Sequence, residues 1–282
     1  MDVVFAECRV HSIEFGNTDV NRGTAVFVHG RYGEAAHWEP IAQGLRGAVR
    51  CVCVDLPGFG FSYSIRRAGL TLIEGAMLVD RIVESLEALG DSASARGPLI
   101  LVGHDIGGAI ALMAAIRLAR RLDGLVLIGA APLTDPPVEL SSGFLSSHAR
   151  RVRTHARSSS LLSAELKRRV TEPWDIRAIR RSRTAALRIL RKSWPRHYER
   201  MAWKRAQESL VCPTLLLWGS HDRMSPPEAG TELLKAIPDA ELLVHPEGTC
   251  WLPLESPSWI SSRIREFLYR IGGITARKSL SR

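Results

Sequence analysis

Apolar positions along this chain fall into short blocks bounded by glycine, proline and charge, and the blocks alternate between two kinds. Thr24 to Val28, Val49 to Val54, Leu99 to Val102, Gly124 to Gly129 and Val211 to Trp218 are almost continuously apolar, the pattern of strands covered on both faces. Between them, Trp38 to Leu45 and Leu72 to Leu89 repeat at helical spacing. In the second, Ile73, Met77, Ile82, Leu86 and Leu89 mark a stripe that Gly90 brings to a stop. Phe5 to Phe15 alternates loosely, as an edge strand or hairpin arm does. Further on, Pro227 to Ile237 predicts a helix, Glu241 to His245 a last strand, Trp259 to Ile271 a closing helix, and 274–282 a flexible tail. Strands alternating with helices predict a mostly parallel sheet with helices on both faces.

The alternation breaks at Pro132 to Glu139, which holds three prolines, and from there to about Ser209 the pattern is helical without a strand. The chain therefore divides into a sheet core, 1–132 and 210–273, and a helical insertion, 133–209. Charge changes this picture. Glu139 to Ser209 holds 18 Lys and Arg against 6 Asp and Glu, more than the whole chain's net charge of +9. Solvated helix faces account for much of that excess; Arg177, Arg181, Arg188 and Lys192 share one such face. A nucleic-acid surface is the poorer reading, because the segment has no recognised binding motif and few interleaved aromatics. A positive mouth that attracts a small anionic or carrier-tethered substrate is the functional reading.

The densest chemistry lies where the Leu99 block ends. Gly103-His104-Asp105-Ile106-Gly107-Gly108 joins a strand to an apolar helix, and the glycines leave the two backbones free to approach. That is the geometry of a nucleophile elbow, with Asp105 in the exposed position. Upstream, His29-Gly30-Arg31-Tyr32-Gly33 is a turn rich in backbone donors, and Asp55 to Ser62 is a loop punctuated by Pro57, Gly58 and Gly60.

These motifs, with Trp218-Gly219-Ser220-His221-Asp222, appear in the order that resembles the α/β-hydrolase fold family over residues 5 to 272. An aspartate in the elbow is similar to the epoxide hydrolase and haloalkane dehalogenase branch. The resemblance implies an α/β-hydrolase fold with a helical cap, and Asp105 attacking carbon to form an alkyl-enzyme ester. It also implies backbone N–H groups of Arg31 and Ile106 as the oxyanion site, and Asp222 orienting a histidine that activates water. His29, Trp38 and Trp251, with the cap residues Trp174, Trp194, Tyr198 and Trp203, would line the substrate space. No cofactor and no metal are implied.

The histidine is missing. The closing motif reads Gly248-Thr249-Cys250-Trp251, and an ungapped alignment puts Cys250 at its position. A thiol of ordinary pKa near ~8.5, beside a carboxylate, is a poor general base for water. His245 and His221 are the candidate substitutes, while His104 reads as packing. Ile106 stands where dehalogenases place a halide-holding tryptophan, and Tyr198 is the only cap tyrosine where epoxide hydrolases use two. The expectation is an epoxide-hydrolase-like enzyme that uses Asp105 without a hydrolytic base, for epoxide opening, cyclisation, isomerisation or elimination on a specialised metabolite. The alternatives are a hydrolase with a substitute base and a catalytically dead ligand-binding protein.

Composition adds little against this. At 45% hydrophobic and 24% charged residues, the chain has the balance of a globular protein. No apolar run reaches the ~18 residues of a membrane span. Met1 to Val4 carries no basic leader, and five cysteines without a C-x-x-C pair suit a reducing cytoplasm.

Overall fold

The computed structural model describes residues 3–5, 8–16, 23–31, 33–62, 70–88, 97–118, 121–130 and 205–280, the last eight by main chain only. β1 (Val3–Phe5) and β2 (Cys8–Val10) pair antiparallel as a small hairpin. The main sheet is built from β3 (Ser12–Phe15), β4 (Thr24–Val28), β5 (Arg50–Val54), β6 (Leu99–His104), β7 (Gly124–Ile128), β8 (Thr214–Gly219) and β9 (Ala240–His245). Its spatial order is β3-β5-β4-β6-β7-β8-β9. Only the edge strand β3 is antiparallel to its neighbour; every other ladder is parallel. The chain steps from β4 outward to β5 and then returns to the opposite side of β4 for β6. The crevice beyond the C-terminal ends of β4 and β6 is therefore the switch point where such sheets bind ligands. Arg31 leaves β4 there, and Asp105 leaves β6.

Helices cover both faces. On one, α2 (Leu72–Ala88) and α3 (Ile106–Leu118) bury Val26, Val28, Leu101, Leu125 and Leu127. On the other, α1 (Glu39–Gly44), preceded by a 3-10 turn at Ala35–Trp38, and α6 (Pro257–Leu280) bury Phe27, Val102, Val126 and Ile128. α4 (Pro227–Ala236) packs on β8 and β9, and α5 (Leu252–Glu255) is a single turn before α6. α2 opens with a capping box: Glu74 N–H donates to Thr71 Oγ1, and Thr71 N–H donates back to Glu74 Oε2.

The sequence pattern differs from the fold in three places. In α2 the buried face is Leu72, Ala76, Val79, Ile82 and Val83, whereas Ile73 and Met77 of the predicted stripe are exposed. The reason is close helix packing: a Cβ on Gly75 would lie 2.7 Å from Ile110 Cδ1, so the smallest residues turn toward α3. β8 begins at Thr214 rather than Val211, which is exposed ahead of Pro213. The closing helix runs on to Leu280 where a flexible tail was expected; Ala276, Arg277, Lys278 and Leu280 are good helix formers with no proline among them. Of the cap expected at 133–209, only 205–209 falls within the described residues.

Candidate active site

Asp105 sits on the turn between β6 and α3 with φ +52°, the only non-glycine residue at positive φ among the described residues. That conformation costs an L-residue about 1–2 kcal/mol and lifts its side chain off the end of the sheet. The turn is held open to nothing larger than it is. A Cβ on Gly107 would lie 2.3 Å from Val28 O, and one on Gly30 would lie 2.8 Å from Asp105 Cβ. Asp105 N–H donates to Ile128 O, while Asp105 O accepts from Gly108 and Ala109 N–H, so the turn is pinned to β7 and to its own helix.

The carboxylate meets Arg31. Arg31 Nε lies 2.8 Å from Oδ2 and 3.0 Å from Oδ1, Nη2 lies 2.7 Å from Oδ1, and Arg31 backbone N–H donates to Oδ2 at 2.8 Å. Both residues are about 6% exposed. Burial by itself would push the Asp105 carboxyl up; the guanidinium fork and its hydrogen bonds outweigh burial and hold it below the usual range. Asp105 is thus a carboxylate with both oxygens engaged. Arg31, expected to act through its backbone N–H, contributes its side chain as well. The Ile106 N–H opens α3, where the first-turn donors have no partner within the helix.

Asp222 lies in the loop after β8, where its Oδ1 accepts from Met224 N–H at 2.8 Å and Ser225 N–H at 2.9 Å. Burial pushes its carboxyl up to about 7, with the Asp105 charge adding to the rise and the two N–H bonds opposing it. Cys250, in the turn before α5, is free of any disulfide. Burial first, then the charges of Asp222 and Asp105, push its thiol far above the ordinary value, so it stays protonated. Arg31, His104, Asp105, Gly129, Asp222, Met224, Cys250 and Trp251 line one cleft. Sequence reasoning brings Asp105, Arg31, Asp222, Cys250 and Trp251 together there, and the structure does the same. It adds Gly129, at the left-handed exit of β7, and Met224 beside Asp222. No spacing signal marks either residue.

The histidines stand elsewhere or are occupied. His104 donates from Nε2 to Cys250 O at 2.9 Å, and burial lowers its pKa, leaving a neutral ring with Nδ1 unprotonated. His245 is paired with Ser256 Oγ and packs edge-on against Trp259, and His221 contacts Ser220; neither lines the cleft. Two expected substrate contacts need correction. His29 accepts from Leu56 N–H through Nε2 and donates through Nδ1 to Gly30 O, so both nitrogens serve the turn. Trp38 is buried against Phe27 in the core under α1. Trp174, Trp194, Tyr198 and Trp203 lie outside the described residues. The sequence reading also missed Asp55. This buried carboxylate accepts from Ala35 N–H, Phe61 N–H and His11 Nδ1 and ties three loops together. Among the described residues no His, Cys, Asp and Glu cluster could hold a metal ion, and no helix is long and apolar enough to cross a membrane.

Comparison with known proteins bears on the fold and the family. The chain is 33% identical over 129 residues to Protein PHYLLO, chloroplastic, of Arabidopsis thaliana, covering 45% of this chain and only 7% of that one. It is 24% identical over 282 residues to a 2-hydroxy-6-oxononadienedioate/2-hydroxy-6-oxononatrienedioate hydrolase of Paraburkholderia phymatum, covering 93% of this chain and 91% of the relative. A solved meta-cleavage product hydrolase, CumD from Pseudomonas fluorescens, superposes with a TM-score of 0.68 at 20% identity, over 96% of this chain and 97% of that one. The model of the Alpha/beta hydrolase family matches residues 25–261, from β4 into α6, and the chain belongs to that family.

Proposed function

We propose that this chain is an enzyme that transforms a small molecule in the Asp105 cleft without activating water, by epoxide opening with internal capture, cyclisation, isomerisation or elimination. One observation carries the reading: two buried carboxyls line one cleft on unlike partners, Asp105 on the Arg31 guanidinium and Asp222 on two backbone N–H groups, environments that push their pKa values apart, Asp105 downward and Asp222 up to about 7. A pair divided in this way is how a site keeps one carboxylate for charge or attack and one carboxyl for giving a proton near neutral pH. The family's hydrolytic step needs a base facing the substrate. Among the described residues, position 250 offers a protonated thiol, and His104, held by Nε2–H on a main-chain carbonyl, turns its unprotonated Nδ1 onto Gly30, where a Cβ would lie 2.8 Å from it. An Asp-nucleophile, epoxide-hydrolase-like origin suits the elbow aspartate, and a specialised metabolite in the cytoplasm is the setting it suggests.

The test is to incubate the protein with small epoxides and esters in oxygen-18 water and to analyse products by mass. The expected products are isomers of the substrate or fragments of an elimination, without label and dependent on Asp105. Many turnovers of labelled diol or acid, abolished in Asp105→Asn, would establish a hydrolase with a substitute base. Tight ligand retention with no product at all would make the chain a binding protein.

A further inference from the structure

The cleft wall carries a pair that the proposed chemistry cannot use as it stands. Asp105 receives three contacts from the Arg31 side chain and one from its backbone, and a carboxylate so engaged is a weak nucleophile and a weak base. Pulling Arg31 away would take from each of two buried charges its opposite number in this pair, which a neutral ligand does nothing to offset. Another carboxylate offsets it directly, because the planar fork accepts any carboxylate in the same two-point geometry. Both residues line the cleft, so the pair lies at its wall and not inside the core. The backbone donor stays behind in such an exchange: Arg31 N–H remains on Oδ2, fixing one oxygen while the other turns to the ligand.

We propose that the Arg31–Asp105 pair is an exchangeable cover, in which a carboxylate on the substrate takes Asp105's place on the guanidinium fork and thereby frees Asp105 to act on the same molecule. This rests on the cleft being the reactive site proposed above, and it names the substrate class as a small carboxylic acid. Selection and activation are then one event. A neutral analogue of equal shape enters the cleft and finds Asp105 still covered.

The probe is a matched pair of epoxides, glycidate and glycidamide, which differ in charge and hardly in size. Attack forms a bond from a free Asp105 oxygen to the terminal epoxide carbon and breaks the ring C–O bond, and the ring oxygen takes the proton of neutral Asp222. Peptide mapping by mass spectrometry after timed exposure gives the rate of Asp105 modification. The parent protein is expected to react with glycidate about tenfold faster or more, the scale of a charged hydrogen bond exchanged. Added acetate should speed the reaction with glycidamide, since the anion can then arrive separately. Arg31→Met should remove the preference and raise the glycidamide rate by a similar factor; Arg31→Lys, charged without the fork, should fall between. Equal rates for the two epoxides in the parent overturn the proposal, as does a preference that survives Arg31→Met or an Asp105 that reacts with neither epoxide in any variant. Should the protein prove hydrolytic, the preference is read in turnover instead, so failure of the non-hydrolytic reading leaves this result legible.

Discussion

The elbow turn after β6 and the loop after β8 deliver one aspartate each to the same cleft, and they bury them almost equally, with Asp105 about 6% and Asp222 about 4% exposed. Their protonation nevertheless diverges. At the elbow a guanidinium supplies a full countercharge, and the carboxylate stays ionised. In the other loop two backbone N–H groups supply only dipoles, burial prevails, and the carboxyl titrates near neutrality. Depth therefore does not decide the charge of a buried acid here; the identity of its donors does. Asp55 is a third case, held by two N–H groups and an imidazole, and it organises loops outside the cleft.

Removing the countercharged partner should have the largest effect. Asp105→Asn keeps the positive φ, which asparagine tolerates, but removes the charge that the Arg31 fork grips. Unfolding in urea should show a loss of about 3–5 kcal/mol, and Arg31→Met added to the same chain should restore much of it. If the single and double variants lose the same amount, the ion pair is not what distinguishes the elbow. Activity in Asp105→Asn should fall by ~10²-fold or more.

Asp222→Asn comes next and has the opposite character. Because the folded pKa of Asp222 is raised from 3.8 to about 7, its contribution is complete below the unfolded value and is lost as pH rises toward and past 7. The parent should therefore lose stability relative to Asp222→Asn between about pH 4 and pH 8, by at most about 4 kcal/mol. Parallel stability curves for the two proteins would mean that Asp222 is ionised throughout.

Replacing the thiol sharpens the contrast at the level of chemistry. In Cys250→His, an imidazole beside Asp222 would give that carboxyl a positive partner and lower its pKa, making the second loop resemble the first. Hydrolysis of a simple epoxide should then rise by ~10²-fold over the parent, the scale of one general base. Product counted per enzyme, with one equivalent as the dividing line, separates catalysis from a single alkylation. The smallest effect belongs to Asp55: His11→Ala removes one half-exposed partner of three and should cost about 1 kcal/mol, with no change in the reactivity of Asp105.

The strands and the elbow were legible because they are local. Apolar blocks fixed β4 to β8 within a few residues, and Gly103, Gly107 and Gly108 announced a turn too tight for side chains. Asp222 and Cys250 were found because motif order survives folding. What stayed hidden depended on direction. Nothing in the sequence says that the Arg31 side chain, rather than its N–H alone, turns onto Asp105, or that His29 turns inward. Nor does spacing join His11 to Asp55, 44 residues apart. In α2 the hydrophobic stripe misled for a related reason, since close packing on α3 favours Gly75 and Ala76 over the bulkier Ile73 and Met77.

One contact sets the terms on which this site can be rebuilt. His104 Nε2 is bonded to the main-chain carbonyl of residue 250, not to its thiol, so the brace between the elbow and the last loop is indifferent to the side chain carried there. Position 250 is in that sense a socket: the wiring that holds it in place passes behind the plug. A change of side chain at residue 250 leaves the acceptor of that hydrogen bond in place. His104, whose ring makes the bond, is the side of the brace that a substitution would cut.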